Sequence, residues 1–227
     1  MVVFRKLILI ALASGVLSGL VWFGLQYVTV IPLIEAAERY EAARGDAHQH
    51  AEAAETGRGW KRNSLTGVAT VLISIGFASV LVGLAFLGEW RLDTRRGALL
   101  GLAAFACVGL APALGLPPEP PGVAAAELGA RQIWWVAAVL ATAAGLYLIC
   151  GRSRSWLLRL GGVVCLVVPH AVGAPVATGE TIVPASLVHE FVAASLATSG
   201  LHWLMLGAVA GFLYNRCQTA GGEPQSR

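Results

Sequence analysis

Charged side chains are scarce in this sequence: only 13% of its 227 residues are Asp, Glu, Lys or Arg, whereas 56% are hydrophobic. The mean hydropathy, +0.69, is far from that of a typical soluble domain. A soluble fold would have to bury nearly all of these apolar residues in one core. The composition therefore excludes an ordinary soluble protein and indicates that the bilayer is the solvent.

Several functional motifs are also missing. The sequence has no GxxxxGK[ST] motif, which excludes ATP hydrolysis by a P-loop. It also has no HExxH, GxSxG or paired-carboxylate arrangement that would indicate an enzyme. The net charge is only +3, and the basic residues form no dense patch with interleaved aromatics. We therefore expect no enzymatic activity, no permanently bound cofactor and no nucleic-acid partner.

Cysteine is sparse, with four residues and no CxxC pair. Cys107, Cys150 and Cys165 fall inside or at the edge of apolar blocks, and Cys217 lies near the carboxyl terminus. This pattern predicts neither a disulfide framework nor a zinc knuckle. The cysteines are expected to act as small apolar side chains that pack against their neighbours.

Long apolar blocks are abundant instead. Each is long enough to span hydrocarbon as a helix, the fifth only just, and none alternates as a barrel strand does. We predict an all-α, polytopic integral membrane helix bundle in one transmembrane domain over residues 1–227, with about six transmembrane helices. The predicted helices cover residues 7–31, 65–87, 97–116, 132–150, 156–172 and 187–214.

The first block could instead be a cleaved signal peptide, which would leave five helices. Its apolar run is too long for a typical signal-peptide core, and Trp22 and Tyr27 lie near its end as interfacial anchors do. We therefore expect it to remain as a spanning helix.

The distribution of basic residues predicts the orientation. With both termini in the cytoplasm, most Lys and Arg of the short connections fall on the inner side and most acids on the outer side. This places an external loop at residues 32–64 and a short cytoplasmic tail at residues 215–227. The inner set is Arg5, Lys6, Arg91, Arg95, Arg96, Arg152, Arg154, Arg159 and Arg216.

Small residues recur at four-residue spacing in several blocks. Such pairs allow close helix packing in membranes, although glycine and alanine are common enough here for chance pairs. The pairs are Gly15 with Gly19, Ser79 with Gly83, Gly97 with Gly101, and Gly207 with Gly211.

Potential metal ligands collect on the predicted outer side. Imidazole nitrogen with carboxylate oxygen suits borderline divalent ions such as Co²⁺, Ni²⁺ or Zn²⁺. Glu35 and Glu38 share a helix face because they are three residues apart. The candidates are His48, His50, His170, His189, Glu190, Glu35 and Glu38.

Each histidine also has a plainer interpretation. His48 and His50 lie in a polar, alanine-rich loop that could simply be solvated, and His170 could be an interfacial histidine. We favour a functional role for His170, because an ionisable group at the end of an apolar helix is costly. His202 lies within the last block, where a bundle-facing, hydrogen-bonding histidine is expected.

Two proline-rich stretches predict interrupted helices on the outer side. In APALGLPPEPPG the third helix must leave regular geometry around Glu119. In VVPHAVGAPV, Pro169 and Pro175 are expected to make the backbone leave regular geometry around His170. Irregular backbone beside a carboxylate or imidazole could form a cation site. Ordinary proline-rich external turns are the alternative.

Five runs of the sequence carry a family resemblance. IEAAERYE, APALGLPPEPPG, AAAELGARQIWW and PHAVGAP, together with ASLATSGLHWLMLGAVAGFLY, resemble the CbtA family of predicted cobalt transporter subunits. The likeness extends from the first helix to the last. The matched positions with ligand chemistry are Glu35, Glu38, Glu119, Glu127 and His170.

The resemblance implies a multi-pass protein of the bacterial cytoplasmic (inner) membrane that takes up Co²⁺ for cobalamin biosynthesis with a small membrane partner, CbtB. It also implies about five membrane spans, one fewer than the six blocks. Ni²⁺ is an alternative cargo, because ligand type does not separate the two ions. The alternative function is a non-conducting scaffold or assembly subunit of a metal transport complex, which the scarcity of polar residues in the inner halves of the helices favours.

Overall fold

The computed structural model describes residues 2–43, 56–151 and 155–219. Within these ranges the chain is helical and contains no strand. The helices are α1 (Val2–Ala43), α2 (Thr56–Leu87), α3 (Thr94–Ala113), α4 (Leu128–Cys150), α5 (Trp156–Val172) and α6 (Ala185–Thr219). The predicted helical membrane fold is therefore confirmed.

Five of the described helices are long and apolar enough to cross a membrane, namely α1, α2, α3, α4 and α6. Helix α5 has 17 residues. At a rise of about 1.5 Å per residue it is shorter than the roughly 30 Å of hydrocarbon. The sequence-based number of about six spans thus exceeds by one the number of helices that satisfy the length criterion.

Helices α1 and α2 are longer than their apolar blocks. Residues 32–43 and 56–64, which the sequence assigned to a loop, are helical. The run IEAAERYEAA is rich in Ala and Glu, which have high helix propensity, so the helix continues after the apolar residues end. Pro32 lies inside α1 without ending it. The membrane side of this segment stays a prediction.

Helix α3 contains a π-helical turn at Ala106–Leu110. The amide of Ala111 donates to the carbonyl of Ala106, a five-residue step. Pro112 follows directly and is buried. In a regular α-helix its ring would clash with the carbonyl four residues earlier, and a wider turn relieves that clash.

The chain divides into two compact units. The first contains α1 up to Val28, α2, α3 up to Leu102, and α6 from Thr198. The second contains α1 from Thr29, the rest of α3, α4, α5, and α6 up to Ala197.

Glycines bring the helices of the first unit into backbone contact. A Cβ at Gly97 would overlap the carbonyl oxygen of Gly207, and one at Gly101 would overlap that of Trp203. Gly15 and Gly19 lie similarly against α2. These predicted small-residue pairs are confirmed as helix contacts. The pair Ser79 and Gly83 is not one: Ser79 is exposed, and nothing lies within 4 Å of a Cβ at Gly83.

In the second unit, α4 packs against α5. A Cβ at Gly145 would lie 2.8 Å from the carbonyl oxygen of Gly162 and 2.9 Å from Leu166. Trp134 on α4 is buried, and its Nε1 donates to the carbonyl of Pro169 on α5 at 3.3 Å. These contacts fix the carboxyl-terminal turn of α5, which contains His170.

Candidate functional site

The predicted metal ligands in the described residues all belong to the second unit. Residues 44–55 lie outside the described ranges, so the prediction for His48 and His50 is untested. The remaining candidates are Glu35, Glu38, Glu119, Glu127, His170, His189 and Glu190.

Glu119 forms an ion pair with Arg131. Its Oε2 lies 2.8 Å from Nη2 of Arg131, and the side chains are 19% and 30% exposed, respectively. Residues 114–127 have no regular helix, which confirms that the proline-rich stretch leaves helical geometry before Glu119. The pair connects this segment to the first turn of α4. The charge of Glu119 is therefore already balanced by a protein partner.

Glu127 is the N-cap of α4. Its Oε1 accepts from the amide of Gly129 at 2.8 Å and its Oε2 from the amide of Ala130 at 2.7 Å. These bonds satisfy amides that the first helical turn cannot pair. They also hold the pKa of the Glu127 carboxyl below its ordinary value, since they favour the charged form. A carboxylate at this position has a clear structural role.

His170 lies in the last turn of α5 and not in irregular backbone. The helix continues through Pro169 to Val172 and ends at Gly173, which has φ of 88°. The expected irregular backbone around His170 begins only after Val172, two residues beyond it, because the proline at 169 removes only one hydrogen bond and the next turn still forms. The ring of His170 is half-buried and stands edge-on to Trp134, with centroids 5.9 Å apart.

The other candidates lie on α1 and α6. Glu35 and Glu38 are partly buried on α1, and each has an interaction partner. His189 and Glu190 are exposed near the start of α6. Across the described ranges, no three His, Cys, Asp or Glu side chains come close enough to hold a metal ion. The described candidates therefore share a unit without forming one preassembled metal centre.

An open cleft of about 310 Å³ lies in this unit, lined by Tyr40 and Ala43 of α1 and by residues 180–182. The loop that precedes α6 is held by two hydrogen bonds. Ile182 donates its amide to the carbonyl of Gly122 at 3.0 Å, and Thr181 Oγ1 accepts from the amide of Ala124 at 3.2 Å. The cleft therefore has a defined wall next to the acidic end of α1.

A second polar feature lies inside the first unit. His202 is 2% exposed, and its Nε2 lies 2.9 Å from Ser74 Oγ. Ser74 Oγ lies 3.1 Å from Ser18 Oγ, which donates to the carbonyl of Ser14 at 2.6 Å. The predicted bundle-facing, hydrogen-bonding histidine is confirmed. We call Ser14, Ser18, Ser74 and His202 the buried polar chain.

The sequence does not by itself identify the serines of the buried polar chain as partners of His202. A signal was present: Ser14 and Ser18 are four residues apart and each precedes one of the packing glycines Gly15 and Gly19. Polar residues beside the close-packing face of a membrane helix are expected to bond across it.

Comparisons with known proteins identify the family. A family model described as "Probable cobalt transporter subunit (CbtA)" matches residues 4–215, which include nearly all of the described helices. No curated protein and no solved structure matches the chain significantly. Because the match covers almost the whole chain, the protein belongs to the CbtA family of probable cobalt transporter subunits.

Proposed function

We propose that this chain is a Co²⁺ uptake subunit of the bacterial cytoplasmic membrane that supplies cobalt for cobalamin biosynthesis and has no enzymatic activity. The observation that carries this proposal is the family match over residues 4–215. It includes the five described helices that could cross a membrane as well as the carboxylates and His170 of the second unit. A small membrane protein resembling CbtB is the proposed partner.

In this proposal the second unit receives the ion at the external side. His170, Glu35 and Glu38 offer imidazole and carboxylate ligands, which suit Co²⁺ and also Ni²⁺. Exposed His189 and Glu190 at the start of α6 could add to the local concentration of cations. His48 and His50 would be accessory ligands. Because the described ligands are not preassembled, cobalt binding would have to draw them together or use ligands from the partner.

A non-conducting scaffold is the second candidate. Two structural roles favour it: Glu119 is paired with Arg131, and Glu127 caps α4. Carboxylates used in this way maintain the fold and leave fewer ligands for an ion path through this chain. In this version the ion passes through the partner, and the chain assembles the complex.

Uptake of radioactive cobalt separates the two. Cells without their own cobalt uptake would express this chain alone, the small partner alone, or both, at matched membrane levels. Uptake with this chain alone supports the permease, and uptake with the partner alone, increased by this chain, supports the scaffold. Export from preloaded cells would contradict the proposed direction. Competition by excess Ni²⁺ would measure selectivity.

A further inference from the structure

The buried polar chain crosses the interior of the first unit at membrane depth. Ser14 and Ser18 lie on α1, Ser74 on α2 and His202 on α6, and all three serines are fully buried. All four lie well inside helices that are long enough to span. Polar side chains in such a position are costly unless hydrogen-bonded, and an ionisable one is a functional candidate.

The hydrogen-bond directions determine the tautomer of His202. Ser18 Oγ donates its one hydrogen to the carbonyl of Ser14, so it accepts from Ser74 Oγ in their 3.1 Å contact. Ser74 has then used its own hydrogen and must accept from His202 Nε2 at 2.9 Å. The hydrogen of the neutral ring is therefore on Nε2.

Nδ1 of His202 is consequently a bare lone pair. It is buried and has no hydrogen-bond partner among the described residues. An unpartnered buried acceptor is unfavourable, and native structures rarely retain one without a role. The atom can accept a proton without disturbing the bond from Nε2 to Ser74.

Aromatic side chains surround the same ring. Trp22 stacks on it with centroids 4.2 Å apart and an interplanar angle of 18°. Phe77 and Trp203 lie at 6.4 Å and 5.9 Å. Indole and phenyl faces attract a cation, which offsets part of the cost that burial imposes on a protonated imidazole. Three neutral hydroxyls and one ring nitrogen would, by contrast, leave most of the charge of a divalent ion uncompensated.

Among the described residues, no charged group interacts with the ring. Its described contacts are Ser74, Trp22, Phe77 and Trp203. The titratable residues nearest in sequence to this site on the four helices are Lys6 and Tyr27 on α1, Arg62 on α2, Arg96 on α3, and Glu190 and Tyr214 on α6.

We propose that Nδ1 of His202 is an intramembrane proton-binding site that couples cobalt movement to proton movement. A hydronium ion on one side supplies the proton; an N–H bond forms at Nδ1, leaving water and an imidazolium whose Nε2–H still donates to Ser74. Release to water on the other side restores the neutral ring. The binding site stands on its own geometry, whereas the coupling rests on the proposed cobalt transport.

Nuclear magnetic resonance of the full chain in lipid bilayers tests the binding site directly. His48, His50, His170 and His189 are replaced by Gln, and the remaining histidine carries ¹⁵N in its ring. We expect a neutral form protonated on Nε2 at alkaline pH and protonation of Nδ1 on acidification. Ser74→Ala should redistribute the tautomers, whereas Ser79→Ala, whose hydroxyl bonds only its own helix at Ile75, should not. A neutral ring protonated on Nδ1, or no titration while the protein stays folded, would overturn the proposal.

Cobalt uptake into proteoliposomes under an imposed pH gradient tests the coupling, with the small partner included. Wild type and Ser79→Ala should respond to the gradient. His202→Gln, which keeps a donor for Ser74 but cannot titrate, should lose the response while retaining gradient-independent uptake. An unchanged response in His202→Gln contradicts coupling. If His202→Gln prevents folding, Ser74→Ala is used in its place. An unchanged pH midpoint of cobalt uptake in the Ser74→Ala variant contradicts the proposal. Absence of any wild-type uptake would count against the proposed function alone, since the ¹⁵N titration needs no transport.

Discussion

Gly97 on α3 and Gly207 on α6 meet backbone to backbone: a Cβ on either would overlap the carbonyl oxygen of the other. Gly101 and Gly211 extend the same close approach along both helices. Without side chains at these positions, the two helices pack closely enough for extensive van der Waals contact, which drives helix association in membranes.

Gly97→Ala should therefore destabilise the protein by about 1 to 3 kcal/mol, the usual cost of overpacking. Gly83→Ala is the matched control, since nothing lies within 4 Å of a Cβ there. Alanine's better helix propensity should leave that variant unchanged or up to about 1 kcal/mol more stable. Unfolding of the purified variants in mixed micelles measures the stability of both. Equal stability of the two variants would contradict the close packing at Gly97.

The ion pair between Glu119 and Arg131 should contribute to stability. Because both side chains are mostly buried, we expect a coupling free energy near the upper end of the surface range, about 1 kcal/mol. A double-mutant cycle with Glu119→Gln and Arg131→Gln measures it. The exposed pair of Arg96 and Asp93, 3.6 Å apart, is the control and should show almost no coupling. Coupling that is equal in the two pairs would count against a role for burial.

The cap formed by Glu127 should make the stability of the start of α4 depend on pH. Its pKa is lower in the folded protein than the ordinary 4.5, so the cap stabilises the fold above that value and loses its effect as pH falls through the lowered pKa. Hydrogen exchange at the amides of Gly129 and Ala130 should accelerate on acidification. Glu127→Gln should exchange faster at neutral pH and respond less to acid, whereas Glu127→Asp should keep most of the protection. Equal protection in all three proteins at every pH would remove the capping role.

His170 should affect cobalt uptake more strongly than the loop histidines. His170→Ala should abolish most uptake at equal membrane level, whereas the double replacement of His48 and His50 should mainly raise the half-saturating concentration, because ordering a loop is costly. Trp134→Phe keeps an aromatic ring at the same position but removes the donor to Pro169, and so controls for local packing. Near-normal uptake by His170→Ala would shift the balance towards the scaffold.

The predicted topology has a direct chemical test. In intact cells a membrane-impermeant thiol reagent should label a cysteine placed at Gln49 but not native Cys217, with the other cysteines changed to serine. This follows from the basic residues of the short loops. Labelling of Cys217 would show that the orientation is opposite to the predicted one.

Hydropathy predicted some boundaries better than others, for physical reasons. Helix α5 matches its prediction of residues 156–172 because Ser155 and Gly173 bound a predominantly apolar run. Helix α1 continues to Ala43 because alanine and glutamate have high helix propensity, while the glutamates keep the segment too polar for a membrane span, so its helicity leaves no hydropathy signal.

The buried polar chain was harder to anticipate than any helix. His202 could be assigned to the bundle interior from its apolar surroundings. Its partners could not, since Ser74 is 128 residues away in sequence and Ser18 is 56 residues from Ser74. Likewise, the pairing of Glu119 with Arg131 depends on how the proline-rich segment folds back, which spacing alone does not determine.

The five-residue turn at Ala106–Leu110 changes how α3 must be compared with other sequences. An α-helix advances about 100° per residue, so one extra residue in a turn resets the angular position of everything after it by about that amount. If residues 94–113 are treated as one uninterrupted α-helix, Pro112 and its neighbours are assigned to the wrong face of the helix. Deleting one residue from this turn should therefore be more disruptive than substituting any of its five side chains.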